Sequence, residues 1–555
     1  MTVLRQAICV IAILLLCVGL AVGQTAAPPP SKTPIEAAVG HIQAGRLPAA
    51  EAVLVKLIKE SPNDPRVNET LAYLYNLKGE PARALLYWQR SIKIRPSGAA
   101  FAGLAATLAE LGRDQEAETN FRKALSLEPG NLLASYNLAG LFLKREDFEQ
   151  AAPLLEKVVR SAPGQPEPTY LLALCHSGRR RPEQAQATLL TLPAKARDRE
   201  PIQLLLGSLA LELKKPDEAR KYFERVLQLN RASVQGAANL GALLALGADP
   251  ARGIELLEQA WKSDKTSYLA GYNLALAYKQ SGKPEQARSV LATLLTKGES
   301  GEIYNLLGSV EAALKNPKDA VSYLERAVEL DPRESHVFDL GYQQLLTYSL
   351  KEAQATFQRG VERHPAAARL WMGLGTTFFA QARNEEAVTA YLRAAEKNDD
   401  PRVLRFLGNA YLTLNNPRDD VASRFRQYRR AHPDDAWANF YEGYGLSRAG
   451  DSEQALPLLQ KAVQVDPKLA EGHLELGNVM ARQGRVNDAL ASYQAAIAAN
   501  PQYQQAYYRL GQTLMKAGRQ AEAEVALKKH EELRAQEAAG NEARMQAVIR
   551  SLEGK

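Results

Sequence analysis

Cysteine is nearly absent from this chain, three in 555 residues, and the shortage removes one route to stability. Cys9 and Cys17 fall in an apolar N-terminal run that reads as an export signal, so the exported chain keeps Cys175 alone. A single thiol forms no intramolecular disulfide, an oxidising compartment does it no harm, and stability must come from packing. Histidine is sparse too. His41, His176, His336, His364, His432, His473 and His530 stand singly, none in an HExxH arrangement and none at metal-ligand spacing. A phosphate-cradling GxxxxGK[ST] loop and a GxSxG elbow are both missing. No catalytic residue, metal or cofactor is therefore assigned, and the chain is read as a non-enzyme. The neighbours Cys175 and His176 do not change this, because adjacent helix positions point about 100° apart.

Charge of one sign is also scarce. The net charge of +7 is spread over the whole length, a weak bias that gives no reason to expect nucleic acid as a partner. The densest basic run holds Arg424, Arg426, Arg429 and Arg430, and a shorter one holds Arg179, Arg180 and Arg181. Both read as solvated helix faces. The sequon Asn68-Glu69-Thr70 lies inside an expected helix and reads as accidental. Strand-like alternation is lacking throughout.

At the N-terminus, Arg5 precedes an apolar run from Ala7 to Val22, closed by the small residues Ala21-Val22-Gly23. As helix the run reaches about 24 Å, short of the roughly 30 Å of bilayer hydrocarbon. Residues 1–23 are thus expected to be a cleaved signal peptide, with an uncleaved anchor as the alternative. The residues Leu14, Leu15 and Leu16 before Cys17 lack the small residue that lipidation needs. Residues 24–34, QTAAPPPSKTP, read as a Pro-rich linker.

What the chain does have is a phrase about 34 residues long, repeated from residue 31 to about residue 536. Leu476-Gly477 falls 34 residues before Leu510-Gly511, and the same offset carries Gly484 to Gly518, Ala489 to Ala523 and Tyr493 to Leu527. Within a copy, apolar residues return at three and four places, as at Leu476, Val479 and Met480, then Ala489, Tyr493, Ala496 and Ile497. That period predicts two amphipathic helices. Gly484 turns the chain between them, and Asn500-Pro501 ends the second. Gly477 and Ala489 are small where the helix backbones must approach, with Tyr493 filling the space beyond.

The pattern resembles the tetratricopeptide repeat, whose signature is a Leu-Gly pair, an aromatic, an Ala, a second aromatic and a closing Pro. It recurs at Trp371, Leu374, Gly375, Phe378, Ala387 and Tyr391, and again at Leu71, Ala72, Tyr75, Gly79, Ala84, Trp88 and Pro96. About fifteen units begin near residues 31, 65, 98, 132, 166, 200, 234, 268, 301, 334, 368, 401, 436, 470 and 504. The resemblance implies an all-α, right-handed α-solenoid of helix-turn-helix units, one elongated array over 31–536. Three departures are read as soft joints: Gly253 in place of alanine, Arg180 in place of the inter-helix glycine, and a longer unit near 401 with Val421 and Phe425 in the small and aromatic roles. Leu192 to Pro201 reads as a wider turn. Residues 537–555, with Asn541 as helix cap and an apolar stripe at Met545, Val548, Ile549 and Leu552, are expected to cap the open end of the stack. A dimer contact is the rival reading.

In such arrays the first helix of each unit lines a concave groove that, by the resemblance, receives segments of other proteins. Groove positions lie three and two places before the small residue of the Leu-Gly pair and one after it. They include Tyr136, Tyr170, Tyr272, Phe338, Tyr342, Phe440 and Tyr444. Aromatics there give contact area at little rotamer cost, although each also serves inter-repeat packing. The sharpest cluster is Arg369, Arg402 and Arg405 with Asn409, Trp437, Phe440 and Tyr444, where guanidiniums beside an aromatic wall suit a carboxylate next to an apolar side chain. The full Lys/Asn/Arg carboxylate clamp of chaperone-binding relatives is not reproduced. The expectation is an exported interaction scaffold, periplasmic or extracellular, binding proteins or peptides. Its alternative is a membrane-anchored structural co-factor of a secretion, pilus or polysaccharide-export machine. The sequence assigns no oligomeric state.

Overall fold

The computed structural model describes residues 33–247 and 249–553, with the side chains of 537–544 outside that description. The expected signal peptide and all of the linker before Thr33 lie outside the described residues. Thr33 and Pro34, read as linker, instead start the first helix. Thr33 caps it in a reciprocal box with Glu36, donating N–H to the carboxylate at 2.9 Å and accepting from the Glu36 N–H at 3.3 Å.

The described residues form thirty-one α-helices and no strand. Thirty of them make fifteen pairs, and the pairs start within three residues of the expected positions. The remaining helix, Ala194–Arg197, is a single turn inside the expected wider connection. Its neighbour Asp198 accepts from the Arg225 Nε–H at 2.6 Å, which ties the loop to the next pair. Proline recurs at the start of helices, for example Pro65, Pro216 and Pro317, where its fixed φ suits the first turn and its missing N–H is not needed.

In most pairs the chain passes between the two helices through one left-handed residue, after which a backbone N–H reaches back to the helix end. Gly484 has φ +76°, and the Arg485 N–H donates to the Met480 carbonyl at 3.0 Å. Arg180 takes the same conformation at φ +56°, with Arg181 N–H on the His176 carbonyl at 2.9 Å. The missing glycine there leaves the turn geometry intact, so it marks strain and not a soft joint.

Packing within a pair follows the small residues. A Cβ added to Gly477 would sit 2.6 Å from the Tyr493 ring, and one on Gly375 would sit 2.7 Å from the Tyr391 ring. Gly253 corrects the sequence reading. A Cβ on it would lie 2.3 Å from the Ala245 backbone nitrogen, so it marks a close approach of two backbones and not looseness. The unit near 401 does depart as expected. Its first helix stops at Tyr411, the second starts at Asp419, and Val421 and Phe425 are buried.

The contacts divide the chain into two units after Ala270, inside the helix Tyr268–Gln280. In the first unit the buried cluster runs from Ala38 to Leu209, and a smaller one continues from Leu204 to Leu244. In the second one cluster runs from Val337 to Leu552, while Leu274, Leu291, Leu306 and Leu324 are buried upstream of it. Within each unit, first helices of several successive pairs touch, as Pro65–Leu77 does Gly98–Glu110 and Ala436–Arg448 does Ala470–Arg482. Among the described residues, second helices come together substantially only at Asn384–Lys397 and Asp419–Ala431. Elements closer on one side than the other make each stack curve with its first helices inside.

The C-terminal expectation is corrected. The last helix runs unbroken from Gln520 to Ser551, with no cap at Asn541. One interior glycine costs roughly 1 kcal/mol against alanine, and the surrounding Ala, Gln and Glu favour continuation. This helix also does not simply close the end of the stack: it contacts the inner helices Glu334–Leu346 and Ala368–Ala380, far upstream.

Candidate partner-binding face

On a first helix, the residues six and three places before the small residue and one place after it follow i, i+3, i+7 and share a face. In the second unit this register places Arg402, Arg405 and Asn409 on the helix Pro401–Tyr411, beside Trp437, Phe440 and Tyr444 on Ala436–Arg448. The Arg405 guanidinium lies 4.9 Å over the Trp437 ring. Trp437 meets Phe440 edge-on at 5.9 Å, and Phe440 meets Tyr444 at 6.0 Å, so the three form a continuous aromatic row. Tyr411 closes edge-on against Tyr444 at 5.8 Å. The Tyr441 hydroxyl donates to Asn409 Oδ1 at 3.3 Å.

One member leaves the expected cluster, and a second is engaged within it. Arg369 lies 3.9 Å over the Phe338 ring and so belongs with the pair upstream. Arg402 is paired with Asp400, the N-cap of its own helix, at 2.6 Å, so its charge is already partly neutralised. Exposure separates the rest. Phe338 and Phe440 are each only 1% exposed, which corrects their assignment as contact residues and makes them supports of the wall. Arg369, Arg405 and Asn409 are exposed, while Trp437 and Tyr444 are half-buried. Tyr342 is 8% exposed, and burial pushes its phenol up to about 12.

A cavity of about 160 Å³ opens beside Arg405 and Trp437, with Arg402, Tyr428, Asp435 and Tyr441 in its lining. Asp435 caps the helix behind it, accepting the Ala438 N–H at 2.9 Å. Burial raises the pKa of Tyr428 and Tyr441, so both stay neutral hydroxyls. Guanidinium, carboxylate and phenol thus surround a space the size of one side chain. Sequence reasoning missed Tyr428, Asp435 and Tyr441. The period Val421, Phe425, Tyr428 is the available signal for the first, but it lies on a second helix, away from the groove positions of the first helices.

Tyr136 and Tyr170 stand half-buried on successive first helices of the first unit, and burial pushes Tyr170 up to about 12. Tyr272 is half-buried in the second unit, its pKa likewise raised by burial. Cys175 has no exposed surface and its thiol is pushed up to about 12 by burial, which holds it protonated and opposes a nucleophile reading. Asn68 is fully buried in its helix, its amide donating to the Pro62 and Asp64 carbonyls at 3.1 and 2.8 Å.

The main basic run is a solvated face only in part: Arg426 and Arg430 are exposed, while Arg424 and Arg429 turn inward. Arg424 is 8% exposed, donates to the Ala395 carbonyl at 3.1 and 2.6 Å, and pairs with Asp399. Arg429 pairs with the buried Glu442, and Arg426 stands 3.6 Å from it. Arg179 likewise donates to Glu149 at 2.8 Å.

Profiles described as tetratricopeptide repeat match residues 35–99, 103–166, 272–335 and 350–403, and others of the same description match 142–209, 201–233 and 504–537. A TPR repeat profile matches 477–518. Together they cover more than half of the chain. Anaphase-promoting complex subunit 3 of Schizosaccharomyces pombe is 25% identical over 192 residues, 34% of this chain and 28% of that protein. Type IV pilus assembly protein PilF of Pseudomonas aeruginosa is 27% identical over 225 residues, 40% of this chain and 76% of PilF. Cellulose synthase operon protein C of Pseudomonas fluorescens is 27% identical over 159 residues, 27% of this chain and 12% of that protein. The chain therefore spans well under two thirds of the length of the first of these relatives. Among solved structures, MamA of Desulfovibrio magneticus RS-1 is 25% identical over 30% of this chain and 96% of its own, with a TM-score of 0.28. The Cut9-Hcn1 hetero-tetramer of APC/C covers 93% of this chain and 95% of its own at 14% identity, with a TM-score of 0.33.

Proposed function

The chain belongs to the tetratricopeptide repeat family, and from that premise we propose that it is an exported, non-enzymatic scaffold gathering segments of other proteins on the face of its first helices. The observation that carries the reading is the exposed Arg405 stacked on Trp437 at the head of an aromatic row, beside a cavity the size of one side chain. A guanidinium held over a ring keeps its fork of N–H donors for a carboxylate, while the ring offers apolar surface. An acidic residue next to an apolar one is the segment this corner suits. Several such weak contacts along one array act through effective concentration. Nucleic acid is disfavoured as a partner, because two arginines of the main basic run, Arg424 and Arg429, are engaged by Asp399 and Glu442.

Export rests on the N-terminal sequence: one basic residue, a short apolar run and small residues at its end. Among the described residues no helix is long and apolar enough to cross a membrane. A second reading is a structural part of a pilus or polysaccharide-export assembly, held at the membrane by an uncleaved N-terminus. It is favoured by the similarity to a pilus assembly protein and to a cellulose synthase operon protein. Fractionation with N-terminal sequencing separates the soluble from the anchored form. Cross-linking in native cells tests the scaffold itself. The double variant Arg405→Ala, Trp437→Ala is expected to lose partner capture with helicity unchanged, and undiminished capture would reject this face.

A further inference from the structure

The last helix leaves the terminal pair and comes to rest on inner helices that stand five and four pairs upstream, Glu334–Leu346 and Ala368–Ala380. Its seat is apolar. Ile549 has no exposed surface and Leu552 keeps 7%, and both join the buried cluster that contains Phe338, Tyr342 and Met372. Met545 packs against the same cluster. Tyr342 stands within electrostatic reach of Arg550 and Glu553, so the groove position named from the sequence is covered by the end of the chain itself. Met545, Ile549 and Leu552 follow i, i+4, i+7, the anchor spacing of a helix laid in a groove. Around them Gln546 is half-buried, while Ala547, Arg550, Ser551 and Glu553 are exposed, so a single stripe makes the attachment.

We infer that the inner face of Glu334–Leu346 and Ala368–Ala380 is a docking site for an amphipathic helix with apolar residues at i, i+4 and i+7, and that the C-terminal segment is its resident occupant, displaced by a partner helix of that pattern. The inference rests on the scaffold reading and adds to it both the form of the ligand and a gate. A resident of the same shape as the ligand raises the apparent Kd to the intrinsic Kd divided by the fraction of molecules whose seat is open. The groove then opens only to a helix that outcompetes a tethered rival, which screens out weaker apolar segments. The seat is separate from the Arg405 corner, where an exposed guanidinium and a small cavity suit a different segment.

The test uses three forms: the full-length wild type, the full-length double variant Ile549→Asp, Leu552→Asp, and the chain ending at Gln536. The probe is a labelled synthetic peptide of residues 541–555, read by fluorescence anisotropy, with a peptide of the same composition in scrambled order beside it. The peptide is expected to bind the double variant and the shortened chain at least tenfold more tightly than the wild type, and the scrambled peptide to bind none. Hydrogen exchange in 334–346 is expected to speed up in both altered chains and to slow again when the peptide is added. Equal binding to all three forms, or equal binding of the scrambled peptide, would overturn the docking site. No binding to either altered chain while both keep wild-type helicity would overturn it as well. Concentration-dependent dimers of the wild type, lost in both altered chains, would replace the partner helix with the tail of a second copy. Loss of the peptide result with partner capture intact strikes only the docking site. Loss of capture with peptide binding intact strikes only the scaffold reading.

Discussion

Tyr348 and Ala382 hold φ of +56° and +59° at turns where their sister repeats use glycine. The left-handed conformation costs a non-glycine residue roughly 1–2 kcal/mol, and glycine gives back roughly 0.5–1 through its freer unfolded chain. Ala382→Gly is therefore expected to stabilise by about 0.5–1 kcal/mol, read as slower hydrogen exchange in the helices on either side. Gly253→Ala should do the opposite. Its new methyl would press on the Ala245 backbone, which has no side chain to turn away, at a cost of about 1–3 kcal/mol. Alanine is the usual residue at that place in the repeat, so a substitution toward the family pattern is expected to destabilise. The position was legible as unusual in the sequence, but not the sign of its effect, which depends on the distance between two backbones. Cys175 titrates by the same logic of burial. Its thiol is raised to about 12 in the folded chain against about 8.5 when unfolded. The folded state then holds the extra proton between those values, so this group's contribution falls as pH rises through them. In the chain starting at Gln24, Cys175 should stay unalkylated by iodoacetamide at pH 10 while native, and unfolding at that pH should make it react.

Among the elements, the fifteen pairs, their turns and the longer unit near 401 could be read directly from the 34-residue period, because each boundary is set by local residues. What could not be read is where a polar residue occupies the apolar stripe. Arg424 reads as surface from its place in a basic run, yet Val421, Arg424, Phe425 and Tyr428 follow i, i+3, i+4, i+7, and all four are buried. Its guanidinium serves the end of another element. Two N–H groups reach the Ala395 carbonyl in the last turn of Asn384–Lys397, where helix carbonyls lack intrahelical partners and the dipole favours a cation. Arg424→Ala is expected to cost about 1.5–3 kcal/mol, the range for hydrogen bonds involving a charged group. Lysine should recover only part of this, since an ammonium does not reproduce the planar fork. Hydrogen exchange at 393–398 and 419–428 would locate the loss. An unchanged profile would mean that the arginine is carried and not used. The Arg405 corner was legible in part for the same reason. The i, i+3, i+7 register brought Arg405, Asn409, Trp437 and Tyr444 onto adjacent helices, but the depth that turned Phe440 into a support, and the Asp400 that engages Arg402, are outcomes of packing.

At the scale of the whole molecule, a solenoid is stable as a sum over neighbouring pairs, so its sequence shows the repeat but not where cooperativity divides. The sequence reads as one array, while the contacts divide it after Ala270. The second unit has its own continuous core from Val337 to Leu552, closed by residues from the far end of the chain. Ile549 and Leu552 thereby join contacts separated by some two hundred positions, a long-range link that no repeat pattern encodes. A chain beginning at Ser267 and ending at Lys555 is expected to fold alone, with near-wild-type helicity per residue and a cooperative urea transition. Ending the same chain at Gln536 removes two buried aliphatic side chains, each worth about 1.5–3 kcal/mol before the cost of ordering the segment is subtracted. The transition should then move to lower urea and broaden, because neighbour contacts alone couple the repeats once the closing link is gone. Hydrogen exchange should place the loss in 334–346 and 368–380, not in the terminal pair. A loss confined to 504–530 would instead return the tail to the role of a plain end cap.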